Sequence, residues 1–224
     1  MICLIEVPGG YKGLVIGCPI PWEFFKSTGT GQSNDQNHAG SFHDSMREAG
    51  VELGNLVKYT SILPAIAEEI ALDEGVEKIV HGAQVGTIMA DAHIDQERGQ
   101  RRATAAIMYG LLYQRGGKGE RHAGGLVCEY NGEGTVEEAL KNVSSCLDGL
   151  YTGKNRRGFA FSEKYDLVKQ PPLTATITPK QRFGTAFCVI AFVSYVVPVL
   201  GQNIFQKDED AFAFAQSAFG QRGV

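Results

Sequence analysis

Short apolar runs separated by turns dominate the chain, and this pattern is typical of β-strands packed into sheets. Several runs are rich in valine, isoleucine, phenylalanine and tyrosine, which favour strands. The pattern predicts strands at residues 13–20, around Leu56–Val57, and at 78–95, 101–114, 124–132, 164–170, 173–180 and 182–197. A polar turn joins the runs at 78–95 and 101–114, and it predicts a hairpin between them.

Two segments have the apolar periodicity of an amphipathic helix instead. The first is residues 41–51, where Ser41 is the predicted N-cap. The second is residues 134–153, where Thr135 and Glu138 have the spacing of a capping box. These two helices do not alternate regularly with the strands, so the pattern predicts an α+β sandwich and not a doubly wound parallel sheet.

Residues 65–75 fit either a helix or a loop, and the other segments are predicted to be turns, loops or a tail. Residues 27–40 are rich in glycine, serine and asparagine, which predicts a loop. The length fits one domain over residues 1–224, with residues 201–224 as a peripheral tail. The apolar run at 185–200 is interrupted by polar residues and is shorter than the ~20 residues of a membrane helix.

Composition excludes several classes of partner. The formal net charge is −4, from 21 basic and 25 acidic residues, which argues against binding nucleic acid through phosphate neutralisation. The five cysteines are widely spaced and lack a C-x-x-C pair, so we expect neither a disulfide framework nor a metal site. The N-terminus has no basic region before its short apolar run. We therefore expect a cytoplasmic protein without a membrane partner.

The sequence NLVKYTSILP, residues 55–64, places two adjacent hydroxyls, Thr60 and Ser61, between an apolar strand and Pro64. One interpretation is a strand end whose hydroxyls bind exposed backbone groups. A second is a hydrolase nucleophile, although no G-x-S-x-G turn surrounds Ser61. A third is self-cleavage, in which the Ser61 hydroxyl attacks the carbonyl of Thr60.

Self-cleavage would give an ester, then a dehydroalanine, and finally a pyruvoyl group. The tetrahedral intermediate of the first step needs a hydrogen-bond donor for its oxyanion. The side-chain amide of Asn55 is chemically suited to this role if a bend brings it towards Ser61. A pyruvoyl carbonyl forms a Schiff base with an amine and accepts electrons from it.

Several motifs occur together in an order that resembles the pyruvoyl-dependent arginine decarboxylases. They are the G-x-G-x-S segment Gly29–Ser33, the end of a short helix at Ala49–Val51, Asn55–Val57, the pair Thr60–Ser61, and Ile62–Pro64. Downstream, GGLVCEYNG at 124–132 resembles the family strand that carries a Glu-Tyr pair, and RFGTAFCVIAFVSY resembles its C-terminal strand. The resemblance covers roughly residues 14–197.

This resemblance implies a set of roles. The fold would be an αββα-type sandwich of mainly antiparallel sheets. Ser61 would become the pyruvoyl cofactor, and cleavage would give a β chain of residues 1–60 and an α chain of residues 61–224. Asn55 matches the residue that assists processing, and Glu129 matches the proton donor to the substrate α-carbon.

The family also implies a substrate, an amino acid that loses CO₂ in a site between neighbouring subunits of a trimer or a dimer of trimers. Arginine is the default substrate, and Gly31 and Ser33 correspond to a segment near its pocket. The family aspartate that pairs with the guanidinium corresponds to His43, and Asp44 is one residue further on. A shift of one helical position rotates a side chain by about 100°, so we expect Asp44 to point away from that place. Another amino acid, or an unprocessed binding protein, therefore stays open.

Overall fold

The computed structural model describes residues 5–7, 11–13, 18–35, 39–116, 121–154 and 158–197. Its strands are β1 Ile5–Val7, β2 Tyr11–Gly13, β3 Ile20–Pro21, β4 Glu23–Ser33, β5 Asn55–Lys58, β6 Ile62–Leu63, β7 Glu68–Glu69, β8 Gln84–Asp95, β9 Ala103–Gln114, β10 Gly125–Gly132, β11 Tyr165–Lys169, β12 Leu173–Ile177, β13 Phe183–Phe192 and β14 Tyr195–Val196. Its helices are α1 Ala39–Glu48, α2 Leu72–Glu77 and α3 Val136–Thr152, with short 3₁₀ turns at Gln96–Arg98 and Phe161–Glu163. The predicted tail at 201–224 and half of the predicted strand at 13–20, residues 14–17, lie outside the described residues.

Two five-stranded sheets form the body of the protein. Sheet 1 has the strand order β5–β8–β13–β4–β7, in which β5 is parallel to β8 and β7 to β4. Sheet 2 is antiparallel throughout and has the order β6–β10–β9, with β11 and β12 end to end along the far edge of β9. The pairs β1–β2 and β3–β14 form two small additional sheets.

The two sheets stack face to face, and helices cover their outer faces. The core between the sheets includes Leu63, Ile88, Ile107, Val127 and Ile190. Helix α1 packs on β4 and β13 of sheet 1, and α3 packs on β9 and β10 of sheet 2. The layers therefore run helix, sheet, sheet, helix, and the predicted α+β sandwich of αββα type is confirmed.

Strand β13 lies at the centre of sheet 1, and all ten of its residues are buried. Its even-numbered side chains face the core between the sheets, whereas Phe187 and Val189 face α1. A strand covered on both faces needs a continuous apolar run, which is why its sequence predicted a central strand correctly.

The predicted hairpin between 78–95 and 101–114 is wrong, because β8 and β9 belong to different sheets. The turn at Gln96–Gly99 carries the chain from sheet 1 to sheet 2, and Gly99 takes a positive φ of 82° there. Each strand is apolar because one of its faces packs against the opposite sheet. The two strands thus share a core without sharing hydrogen bonds.

The predicted loop at 27–40 is also wrong over its first half, because β4 continues through Ser33. The glycines of this segment allow α1 to pack closely on β4. A Cβ on Gly29 would collide with the carbonyl oxygen of Ser45, and one on Gly31 with the carbonyl oxygen of Ser41. Glycine at these two positions lets the backbone of α1 lie directly against the strand.

Both predicted helices are confirmed, although one of their caps differs. Thr135 and Glu138 form the predicted capping box at the start of α3, with reciprocal hydrogen bonds of 2.8 and 3.2 Å. Ser41 is not an N-cap, because α1 begins at Ala39. Ser41 is instead fully buried, and its hydroxyl lies 2.9 Å from that of Thr185 on β13.

The packing of α1 predicts opposite effects for two glycine substitutions. Gly29→Ala should destabilise the protein by about 1–3 kcal/mol, since the new methyl group meets backbone that cannot move aside. Gly149→Ala, on α3, should stabilise it by about 0.5–1 kcal/mol, because a Cβ there meets nothing within 4 Å and alanine favours a helix. Urea unfolding of both variants measures this difference. Equal stabilities would contradict the close approach of α1 to β4.

Candidate active site

The edge strand of each sheet ends early at the same corner of the sandwich. Strand β5 pairs with β8 only as far as Thr87, and β6 pairs with β10 only at Gly125 and Leu126. The chain between β5 and β6 crosses from sheet 1 to sheet 2 at this corner and carries Thr60 and Ser61. We call this region, formed by residues 58–61 and the adjoining edges of β8 and β10, the open corner.

Ser61 contacts Glu129 at the open corner. The Ser61 hydroxyl lies 2.9 Å from each carboxylate oxygen of Glu129. The carbonyl oxygen of Ser61 accepts a hydrogen bond of 3.0 Å from the amide of Val127. Ser61 is thus held on both its side chain and its main chain by β10, and the sequence-predicted pair of Ser61 and Glu129 is brought together.

The peptide bond before Ser61 lies in a tight turn. The carbonyl oxygen of Thr60 accepts a hydrogen bond of 2.7 Å from the amide of Ile62, which closes a γ-turn centred on Ser61. An amide hydrogen bond polarises a carbonyl and stabilises negative charge that develops on its oxygen. Sequence reasoning missed this donor because a backbone amide has no residue signature.

Glu129 faces the space between the sheets from β10, and its side chain is partly buried. Burial raises the pKa of the Glu129 carboxyl, while the Ser61 hydroxyl and the charge of Lys58 oppose that rise. A carboxyl whose pKa is raised towards neutrality is better suited to deliver a proton.

Asn55 lies at the other end of β5 from Ser61. Its side-chain amide donates a hydrogen bond of 2.8 Å to the carbonyl oxygen of Gly82. The three steps of extended strand from Asn55 to Lys58 cover about 10 Å. The fold therefore does not bring Asn55 to the Thr60 carbonyl within one chain, and its processing role stays a prediction.

The other predicted binding residues lie around a second feature, a cavity of about 320 Å³ between α1 and β4. Its lining is Thr30, Gly31, Gln32, Asp44, Arg47, Glu48 and Ile177. Asp44 faces this cavity, whereas His43 is exposed. Ser33 is buried near the start of α1, where its hydroxyl accepts a hydrogen bond from the amide of Asp35.

The charged groups of this cavity are already paired. A guanidinium nitrogen of Arg47 lies 2.9 Å from a carboxylate oxygen of Asp44. The carboxylate of Glu48 accepts hydrogen bonds of 2.7 and 3.0 Å from the amide and hydroxyl of Thr30. Two carboxylates and one guanidinium line the cavity, which gives its lining a net negative charge.

The cavity and the open corner lie on different flanks of the molecule. Helix α1 packs on β4 and β13, whereas the open corner lies beside β5. Two strands separate β4 from β5 in sheet 1, which corresponds to about 14 Å between them. The structure therefore brings Ser61 to Glu129 but does not bring either of them to Asp44 in the same chain.

A row of polar side chains runs across sheet 1 from α1 to the open corner. The Ser41 hydroxyl meets that of Thr185, which lies 3.0 Å from the Nδ1 atom of His93. The Nε2 atom of His93 lies 3.2 Å from Asp91, and the other carboxylate oxygen of Asp91 lies 3.6 Å from the ammonium of Lys58. Sequence reasoning missed this row because its members come from four separate elements.

The row keeps Asp91 ionised. Burial alone would raise the pKa of Asp91, but the hydrogen bond with His93 and the charge of Lys58 outweigh it and lower the pKa. The main-chain carbonyl of Asp91 also accepts a hydrogen bond of 3.3 Å from Asn131, two residues beyond Glu129 on β10. Asp91 is thereby linked to both chain segments that form the open corner.

The described residues contain neither a metal-binding cluster nor a membrane-spanning helix. No group of three or more histidine, cysteine, aspartate or glutamate side chains in that part of the chain lies close enough to hold a metal ion. None of the helices described there is long and apolar enough to cross a membrane.

Comparison with known proteins adds a second line of observation. The model of the pyruvoyl-dependent arginine decarboxylase family matches residues 23–197 of this chain. The enzyme of that name from Thermococcus sibiricus is 31% identical over 155 residues, which are 69% of this chain and 85% of the relative. The Pyrococcus abyssi enzyme is 30% identical over the same shares of the two chains. The Thermoplasma volcanium enzyme is 23% identical over 180 residues, 78% of this chain and 97% of the relative.

Proposed function

This chain belongs to the pyruvoyl-dependent arginine decarboxylase family, and we propose that it cleaves itself between Thr60 and Ser61 and then decarboxylates arginine. The family makes it a carboxy-lyase with a covalent pyruvoyl group. Two contacts support Ser61 as the source of that group. The Ser61 hydroxyl is hydrogen-bonded to Glu129, and the carbonyl of the preceding Thr60 is polarised by the Ile62 amide.

In the proposed cleavage, the Ser61 oxygen attacks the carbonyl carbon of Thr60. The carbon–nitrogen bond breaks as the carbon–oxygen bond forms, which gives an ester and a free amine on residue 61. Loss of the α-proton of residue 61 then expels Thr60 as a carboxylate and leaves a dehydroalanine. Water replaces the nitrogen, ammonia departs, and a pyruvoyl group remains. The sequence of steps consumes one water and needs no oxidant, and the Ile62 amide is aimed at the oxygen that becomes charged.

The open corner is suited to such a group because residue 61 is held there through its main chain. The Val127 amide binds the carbonyl oxygen next to the position where the pyruvoyl group would form. A pyruvoyl carbonyl supplies an acceptor for the substrate amine and for the electrons left behind by CO₂. Glu129, already in contact with residue 61, would then deliver a proton to the substrate α-carbon.

The proposed substrate is arginine, with another cationic amino acid as the alternative. The names of the curated relatives favour arginine, and the cavity beside α1 supports a cationic side chain. Arg47 demonstrates that the carboxylate of Asp44 accepts a guanidinium in its present position, at 2.9 Å. Asp44 therefore takes the role that the family gives to the position of His43.

One active site would need two chains, because Asp44 and Ser61 lie on different flanks. We propose that the open corner of one subunit faces the α1–β4 flank of the next. Such a contact joins two different surfaces, and contacts of this kind close into rings. A trimer, alone or doubled, satisfies this requirement and the family expectation.

Self-cleavage predicts two fragments by intact mass, residues 1–60 and 61–224, the larger of which has a blocked N-terminus. Ser61→Ala should remove both cleavage and turnover, because no hydroxyl is left to attack. Ser145→Ala, at an exposed position of α3, is the matched control and should behave as wild type. A wild-type chain that stays full-length would favour a binding protein, and fluorophosphonate labelling of uncleaved Ser61 would favour a hydrolase.

The proton-donor role of Glu129 predicts a separation of cleavage from turnover. Glu129→Gln retains an oxygen that can accept the Ser61 hydrogen bond, so the chain should still be cleaved. Turnover should fall by about 10²–10⁴-fold, because an amide does not deliver a proton. Intact mass and CO₂ release measure the two steps, and full activity of cleaved Glu129→Gln would show that another group donates the proton.

A shared site predicts rescue between two inactive variants. Ser61→Ala and Asp44→Ala should each have little activity alone. Random co-assembly in equal amounts should restore about one quarter of the wild-type activity, because one in four junctions unites an intact Ser61 with an intact Asp44. No rescue in a co-purified mixed oligomer would show that Asp44 and Ser61 do not act together across a subunit junction.

A further inference from the structure

Cleavage changes the charge of the open corner, and this change concerns Lys58. Before cleavage, the Lys58 ammonium lies 3.6 Å from Asp91, a loose contact between side chains that are 52% and 24% exposed. Lys58 is also three residues from Ser61, at the last position of β5. Its charge acts on Glu129 as well as on Asp91.

The proposed cleavage creates a new carboxylate on Thr60. This group forms from the carbonyl that the Ser61 oxygen attacks, and that oxygen lies 2.9 Å from Glu129 in the intact chain. A third anion therefore appears beside Glu129 and Asp91, and like charges at such distances repel. Lys58 is two residues before Thr60, so their Cα atoms are at most about 7 Å apart and the lysine side chain can extend towards the new carboxylate.

We propose that Lys58 is a positioning residue whose ammonium moves from Asp91 to the new Thr60 carboxylate and holds the end of the β chain at the open corner. The proposal rests on the proposed cleavage at Thr60–Ser61. Asp91 remains paired when Lys58 leaves, because His93 lies 3.2 Å away and is itself held by Thr185. The row of polar side chains across sheet 1 thus lowers the free-energy cost of moving Lys58 away from Asp91.

The transfer also changes the proton affinity of Glu129. In the intact chain, burial raises the pKa of Glu129 and the charge of Lys58 lowers it. Once Lys58 is paired with the Thr60 carboxylate, its attraction for the Glu129 anion is offset, and the pKa rises further. Of the other groups nearby, Asp91 on β8 lies beyond Lys58, and the Cys128 thiol on β10 has a pKa raised by burial and stays neutral. Cleavage would therefore convert Glu129 from an acceptor for Ser61 into a proton donor for the substrate.

The decisive experiment measures Lys58→Met in two backgrounds, the cleaved wild-type chain and the uncleavable Ser61→Ala chain. Lys58→Met should lower the Tm of the cleaved protein by about 2–4 °C. It should lower the Tm of the uncleaved protein by less than half as much, because only the loose Asp91 contact and the attraction for Glu129 are lost there and the Thr60 carboxylate is absent. Lys58→Arg should restore the cleaved protein, and Lys141→Met on α3 is the charge-matched control.

A second readout is the pH dependence of turnover. Without Lys58 the Thr60 carboxylate is uncompensated, so Glu129 keeps its proton to a higher pH. The alkaline limit of kcat should move to higher pH in Lys58→Met and return in Lys58→Arg. Equal Tm losses in the two backgrounds, or an unchanged alkaline limit, would overturn the proposal. Failure of the underlying function would look different, as a full-length mass for the wild-type chain.

Discussion

The hydrogen bond from Ser61 to Glu129 depends on the pairing of β6 with β10 in sheet 2. Ser61 directly precedes β6, and Glu129 lies on β10, 68 positions later in the chain. The antiparallel register that joins Leu63 to Gly125 and Ile62 to Leu126 continues to Ser61, whose carbonyl oxygen accepts the hydrogen bond of the Val127 amide. The crossing from β5 in sheet 1 to β6 in sheet 2 folds the chain into the γ-turn at Ser61. The chemistry at residue 61 is thus set by the point where the chain passes from one sheet to the other.

At the open corner, burial and neighbouring groups shift the pKa of Glu129 in opposite directions. A carboxyl placed between two sheets is driven towards its neutral form, whereas Ser61 and Lys58 draw Glu129 towards its charged form. Asp91, at the outer side of the same corner, stays ionised because two partners surround it. The two carboxyls on which Lys58 acts therefore have pKa values shifted in opposite directions, which is a common arrangement where one group must move a proton and another must hold position.

Among the described residues, no strand covers β8 beyond Thr87 or β10 beyond Leu126 on the side of Ser61. A complete sheet would cover the edges of β8 and β10 and leave no room for a substrate at Ser61. An uncovered edge also invites another chain to pair or pack there. The flank that carries α1 and its cavity is the surface that this function would require on the neighbour, since Asp44 is too far from Ser61 within one subunit.

The sequence by itself determined the elements with strong local signals. The continuous apolar run of β13, the capping box of α3 and the order of motifs around Thr60–Ser61 were all read correctly, because each is encoded by neighbouring residues. Local signals gave a wrong prediction where the contacting element is distant in the chain. The glycines of β4 are an example, because they allow close contact with α1 and do not form a loop. Only the tertiary structure decided that β8 and β9 face each other across a core, and that Lys58, Asp91 and Glu129 share one corner. The physical reason is that burial, electrostatic coupling and backbone hydrogen bonds depend on distance in space, which the order of residues does not specify.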